Sequence, residues 1–302
     1  MQITRRTRFS DRINREIPPI GEFVEVDGVK IHLKRAGSPD AMPLVLLHGA
    51  SGNLRDWTSS VFDELAAKWH VIAIDRPGYG HSDFLADETW MIAPQTRLLR
   101  TMMTKLGYDR YALFGHSYGV AVALDWALTR PKEVAGILAM SGAMISWGGA
   151  LGWRYRLGGV AVLGSLMGKA VPLIASDTLI ERELAEVFEP QPVPSDYVER
   201  GGVALALKPA TFALNLRAMD RLHAQTSATL AKVPTISCPV EVLHGGADAI
   251  VPHDPETGPI ASLAPTANTV ILPGVGHMPH HTDPQSVYEA TDRLRGSIGA
   301  TE

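Results

Sequence analysis

The chain has 302 residues, 45% hydrophobic and 20% charged. That composition excludes a disordered or fibrous protein and allows one large domain with an insertion, or two ordinary domains. The formal net charge is −4 and the pI near 6.3, so the basic excess of a nucleic-acid binder is missing. A single cysteine, Cys238, excludes an intramolecular disulfide framework and suits a reducing, cytoplasmic compartment.

The first stretch carries Arg5, Arg6, Arg8, Arg12 and Arg15 among polar residues. No apolar core of a secretory leader follows, and the expectation is a solvated basic arm. Glu22–Val26 and residues 29–34 alternate apolar and polar side chains around Asp27-Gly28, a hairpin signal. Residues 44–47 form a short apolar run ending in His48-Gly49, and a helix is expected over 54–69. A second apolar run, 71–74, ends in Asp75. A helix over 93–106 stops at Gly107, and residues 112–114 lead into Gly115-His116-Ser117-Tyr118-Gly119. A helix over 120–129 and a strand at Val134–Met140 follow. From 142 to 230 the strand–helix rhythm is lost among Gly-rich, Pro-rich and helical stretches. It resumes with strands at 240–243 and 269–272 and a helix over 284–298.

Short, fully apolar strands alternating with helices predict an α/β fold with a mostly parallel central sheet buried on both faces. The core domain is expected at 1–141 and 231–302, with a helical insertion at 142–230. The most apolar stretch, 157–168, is too short to span a bilayer, which needs about 20 such residues. It is expected to be a buried or pocket-facing helix, with no stable membrane insertion.

Gly115-His116-Ser117-Tyr118-Gly119 sits between an apolar strand and a helix, the setting of a tight turn that exposes a serine hydroxyl. The glycines let backbone segments close up, and the helix that follows aims its positive end at the serine. A serine needs a base, and the base needs an orienting carboxylate. Asp248 follows the apolar run 240–243, and His277 follows the run 269–272, in the order Ser, Asp, His. His280 and His281 are rivals that lie further past the strand. A metal reading of His277, His280 and His281 lacks a supporting carboxylate or cysteine pattern, so no metal and no cofactor are expected. Backbone donors for an oxyanion are expected from Tyr118 and from the loop after residue 47, with Ala50 first and Ser51 second.

His48-Gly49-Ala50, the stretch from Asp75 to Ser82, Gly115 to Gly119, Gly246-Ala247-Asp248 and Gly276-His277 together resemble the capped serine hydrolases of the α/β-hydrolase fold, over nearly the whole chain. The resemblance implies that 142–230 is a cap over the carboxyl edge of the sheet and that 75–82 is a structural loop. Serine at position 117 argues against the family's aspartate-dependent dehalogenases and epoxide hydrolases. It leaves ester hydrolysis of a small to medium hydrophobic substrate as the leading expectation. Lactone or carbon–carbon bond hydrolysis, a non-hydrolytic ligand binder and a membrane-surface lipase remain as alternatives. Trp147, Trp153 and Phe212 are the expected substrate-binding residues, with Met144, Tyr155, Met167, Phe188 and Tyr197 as further aromatic or apolar groups of the insertion. Each can equally be part of the insertion's own core. The partner is a small molecule, and self-association is left open.

Overall fold

The computed structural model describes residues 3–142, 166–170, 175–252 and 264–301. Its strands are β1 (Glu22–Val26), β2 (Val29–Ala36), β3 (Pro43–Leu47), β4 (His70–Ile74), β5 (Tyr111–His116), β6 (Val134–Met140), β7 (Val240–Gly245) and β8 (Ala267–Leu272). They form one sheet in the order β1-β2-β4-β3-β5-β6-β7-β8. β1 and β2 form the hairpin turning at Asp27-Gly28, and β2 runs antiparallel to β4; from β4 to β8 every pairing is parallel.

Strand periodicity of two sends alternate side chains to opposite faces, and here both faces are core. Val45, Leu47, Ile72, Ile74, Leu113 and Ile137 join one apolar cluster with Leu99 and Met102 of α4 (Ile92–Lys105) and Val120 and Leu124 of α5 (Tyr118–Thr129). Leu44, Leu46, Val71, Ala73, Phe114 and Leu138 join the other. There they meet Trp57, Phe62 and the stripe Val287, Ala290, Leu294 and Ile298 of a C-terminal helix. Double-sided burial explains why these strands read as unbroken apolar runs.

One expectation changes and another gains detail. The helix expected over 54–69 is two short helices, α2 (Arg55–Thr58) and α3 (Phe62–Leu65). Ser59 Oγ donates to the Arg55 carbonyl at 2.7 Å and Ser60 Oγ to the Asp56 carbonyl at 2.7 Å, bonding back to the first two residues of α2 where that helix stops. The basic arm is a helix, α1 (Ile3–Glu16), whose Ile13 is buried.

Between β6 and β7 the described residues form helices joined by turns and loops, with no strand among them. They include 166–170, α6 (Asp177–Phe188), α7 (Tyr197–Arg200) and α8 (Pro209–Leu230). Most of the stretch 157–168 lies outside the described residues; at its end, Leu166 is exposed and Gly168 packs on the Pro209 carbonyl. Ala218 and Leu222 of α8 reach the first apolar cluster. After β8 come α9 (Pro279–Thr282) and α10 (Pro284–Thr301). No helix among the described residues is long and apolar enough to cross a membrane.

Candidate active site

Parallel strands deliver the residues after β3, β4, β5, β7 and β8 to the same sheet edge, where open α/β sheets carry their sites. Ser117 follows β5 with φ 52° and ψ −116°, a conformation that L-residues rarely adopt. Its amide donates to the Met140 carbonyl at 2.9 Å and its carbonyl accepts from Val120 at 3.1 Å. A side chain on Gly115 would press into the Gly119 backbone, and one on Gly119 into the Leu47 carbonyl, so the turn closes only with glycine at both positions. Ser117 is 8% exposed at the N-terminus of α5. The Tyr118 amide is the first of that helix, and first-turn amides have no intrahelical acceptor.

The loop after β3 lies on the serine: a Cβ on Gly49 would sit 3.2 Å from the Ser117 Cβ. Arg76 is fully buried and clamps this loop. Its Nε donates to the His48 carbonyl at 3.0 Å and its Nη2 to the Gly49 carbonyl at 2.9 Å. The guanidinium lies over the rings of Tyr79 at 4.3 Å and Tyr118 at 4.6 Å. His48 Nδ1–H also donates to the Gly49 carbonyl, at 2.8 Å, while its Nε2 accepts from the Arg76 amide at 3.0 Å. That pattern requires a neutral ring, and burial together with the nearby Arg76 cation pushes the His48 pKa down to about 3. In a trans peptide the carbonyl of one residue and the amide of the next point oppositely. Pinning the Gly49 carbonyl therefore aims the Ala50 N–H away from Arg76. The Ser51 amide is already occupied, donating to Asn215 Oδ1 at 2.9 Å, while Asn215 Nδ2 donates to Ser51 Oγ at 2.8 Å. Of the two sequence candidates, Ser51 has its amide taken by Asn215.

His277 Nδ1 meets Asp248 Oδ2 at 2.8 Å, with both residues buried. Asp248 Oδ1 accepts from the amides of Ile250 at 2.9 Å and Val251 at 2.8 Å, which fixes the carboxylate for the ring. The His277 carbonyl accepts from His116 Nε2 at 2.9 Å, and the two rings are 4.9 Å apart, so His277 lies against the residue preceding Ser117. His280 and His281 turn elsewhere: both bond Asp56, at 3.1 and 2.9 Å. Among these histidines, His277 is the one paired with Asp248.

A model of the alpha/beta hydrolase family matches residues 44–290. The chain belongs to the alpha/beta hydrolase family. It is 30% identical over 86% of its length to the dihydrolipoyllysine-residue acetyltransferase component of the acetoin cleaving system of Pseudomonas putida, of which it spans 65%. It is 27% identical over 84% of its length to the pimeloyl-[acyl-carrier protein] methyl ester esterase of Edwardsiella ictaluri, 92% of which is covered. A crystal structure assigned to a lipase of Acinetobacter baumannii superposes with a TM-score of 0.76 at 19% identity, over 98% of this chain and 97% of that one. That structural likeness carries the fold.

Several residues of this hydrolase-family site escaped the sequence reading. The stretch 75–82, expected as a structural loop, supplies Arg76 to the loop that carries Ala50. Asp75 anchors the stretch, accepting from His32 Nδ1 at 2.7 Å, the Leu54 amide at 2.7 Å and the His81 amide at 2.8 Å. Gln191, from the segment between β6 and β7, grips the histidine loop: its Oε1 accepts from the Gly276 amide at 2.9 Å and its Nε2 donates to the Gly274 carbonyl at 2.6 Å. Tyr197 from the same segment donates to Asp56 Oδ1 at 3.0 Å. Composition carries no signal for such pairings, because all but the Asp75–His81 bond join residues at least 21 positions apart. Trp147, Trp153, Tyr155 and Met144 lie outside the described residues. Phe212 is half-buried in the first turn of α8, and Met167 is half-buried in 166–170. Phe188 and Tyr197 act as the segment's own packing, with rings 4.8 Å apart and Phe188 also against His281 at 5.7 Å.

Proposed function

We propose that this chain is a serine hydrolase that cleaves a carboxylic ester of a small to medium hydrophobic substrate through an acyl-enzyme. The observation that carries the reading is the Asp248–His277 hydrogen bond at 2.8 Å, buried beside the strained Ser117 turn. The likeness to a methyl ester esterase adds support for an ester over other acyl bonds.

With Nδ1–H given to Asp248, the His277 ring keeps its Nε2 lone pair for the Ser117 proton. Ser117 Oγ bonds the carbonyl carbon, and the carbonyl π pair moves onto oxygen. The amides of Ala50 and Tyr118 receive that oxyanion, and losing one such donor typically costs about 3 kcal/mol of barrier. Collapse breaks the bond to the alcohol, which leaves with the proton from His277. Water then gives a proton to His277 and attacks the acyl carbon; collapse breaks the bond to Ser117 Oγ, which takes the proton back from His277 as the acid is released. Asp248 stays ionised throughout and stabilises the imidazolium. Residues 142–230 act in this reading as the cap that shapes the substrate pocket, with Trp147, Trp153 and Phe212 as its apolar lining.

The test is fluorophosphonate labelling together with turnover of a p-nitrophenyl ester series from acetate to decanoate. The expected result is labelling and turnover in the wild type, both absent in Ser117→Ala. A wild type that neither labels nor turns over any ester would overturn the reading.

A further inference from the structure

Three histidines in His277 to His281 invite a metal reading that the sequence alone leaves without a carboxylate. Folding brings one. Asp56 of α2 is buried, and its carboxylate accepts from His280 Nε2 at 3.1 Å, His281 Nε2 at 2.9 Å and Tyr197 Oη at 3.0 Å. His116, the residue before Ser117, places its ring centroid 4.7 Å from that of His280. One oxygen of Asp56, one nitrogen of His116 and one nitrogen of His280 all lie within 4.8 Å of one another, and all three residues are buried.

We propose that Asp56, His116 and His280 form a binding site for a divalent transition-metal ion of the zinc class. Two neutral imidazoles and one carboxylate are donors that suit zinc and its neighbours and disfavour magnesium or calcium. Ligands at roughly 2.0–2.2 Å from a tetrahedral ion stand about 3.3 Å apart, close to the 3.1 Å between His280 Nε2 and Asp56 Oδ2. An ion there takes the place of the shared proton, which moves to His280 Nδ1. Two ring nitrogens, Nδ1 of His116 and Nδ1 of His280, are buried with no hydrogen-bond partner among the described residues. The supporting contacts are those of a built site: the other Asp56 oxygen is held by His281 and Tyr197, and His116 Nε2 is anchored on the His277 carbonyl. A cleft of about 250 Å³, lined by Tyr197, Arg200, His280 and His281 among others, reaches the His280 side of the cluster.

Occupancy reaches the reaction. Gathering donors that lie within 4.8 Å of one another to tetrahedral spacing shifts His116 or His280 by up to roughly 1 Å. One adjoins Ser117, and the other lies on the turn after His277. Displacement of that size at a reacting pair costs about 100-fold in rate, so the ion is an inhibitor. The site stands apart from the hydrolase reading; only its inhibitory effect rests on it.

The experiment titrates Co2+ into chelator-treated full-length protein, followed by visible d–d absorption and by calorimetry, with Zn2+ competition. One saturable equivalent with the intense bands of a low-symmetry site is expected. Asp56→Asn and His280→Gln, with folding verified by near-UV circular dichroism, lose it. Tyr197→Phe, a milder change in case those two do not fold, weakens it about 10-fold. His223→Gln, an exposed histidine of α8, binds as wild type. One equivalent of Zn2+ lowers ester turnover about 10- to 100-fold, and EDTA restores it. Fluorophosphonate labelling of the metal-free protein reports the hydrolase reading separately. No saturable Co2+ uptake by the wild type overturns the site. So do full binding by folded Asp56→Asn or His280→Gln, unchanged affinity in Tyr197→Phe, or loss in His223→Gln.

Discussion

Ser117 and Ala50 are held largely by contacts made within the first 140 residues, whereas His277 is held by side chains that arrive from elsewhere in the chain. On the first side, Arg76 and His48 pin the Gly49 carbonyl, and the Gly115 and Gly119 backbone approaches close the serine turn. On the second, Gln191 grips Gly274 and Gly276, while Asp56 ties His280 and His281 to α2 and, through Tyr197, to the segment between β6 and β7. The difference teaches where each half is vulnerable. The Ser117 side is built on the sheet and on the loops that leave it. The His277 side depends on how the segment before β7 seats, so in the proposed mechanism changes there reach catalysis without touching a reacting atom.

The comparison breaks most plainly if the reacting residues are not Ser117 and His277. Ser117→Ala or His277→Ala is expected to lower ester kcat/KM by roughly 10^4- to 10^6-fold with a near-wild-type melting temperature. Retained turnover in either, measured on purified protein, would move the chemistry to other groups. The next test sharpens the nucleophile side. Arg76→Lys keeps the charge and loses the fork that reaches two carbonyls. It should lower kcat about 100-fold with a smaller change in KM, because one oxyanion donor is misaimed. An unchanged kcat would mean that the Gly49 carbonyl is held well enough by His48 alone.

Gln191→Ala addresses the other side and should lower kcat about 10-fold, leaving fluorophosphonate labelling intact but slower. A loss equal to that of Arg76→Lys would erase the contrast between the halves. The smallest effect is on stability. Burial, with Arg76 beside it, pushes His48 down to about 3, and burial pushes His81 down to about 4. Above the ordinary histidine value of 6.5 both are neutral in the folded and unfolded chains, and their contribution is fully present. As pH falls below that, the unfolded chain takes up protons that the folded chain refuses, and stability drops until the folded values are reached. Urea midpoints should therefore decline from pH 6.5 toward 4, less steeply in His81→Gln. An equal slope in that variant would remove His81 from the account.

The inner strands β3 to β7 were legible in the sequence because each holds a short apolar run and burial on both faces demands one, whereas β1 and β2 showed through the alternation of a half-exposed hairpin. The hairpin at Asp27-Gly28 and the glycine pattern around Ser117 were legible for a similar reason: the turn chemistry is local. The helix expected over 54–69 was not, since its apolar positions fit one helix and the break comes from Ser59 and Ser60 bonding back to α2. Asp248 and His277 could be named because each follows a strand, but their 2.8 Å contact is a product of β7 and β8 lying side by side.

What the sequence determined by itself is whatever depends on near neighbours: strand runs, helix stripes and the turn that strains Ser117. Those features are set by sterics and burial within a few residues. The tertiary structure alone decided which polar side chains meet. Asp56 reaches His280 across 224 positions, Arg76 meets Gly49 across 27, and Asn215 takes the Ser51 amide across 164. Such pairs leave no periodic trace, because a buried donor requires a partner within about 3 Å but places no condition on how far away along the chain that partner lies.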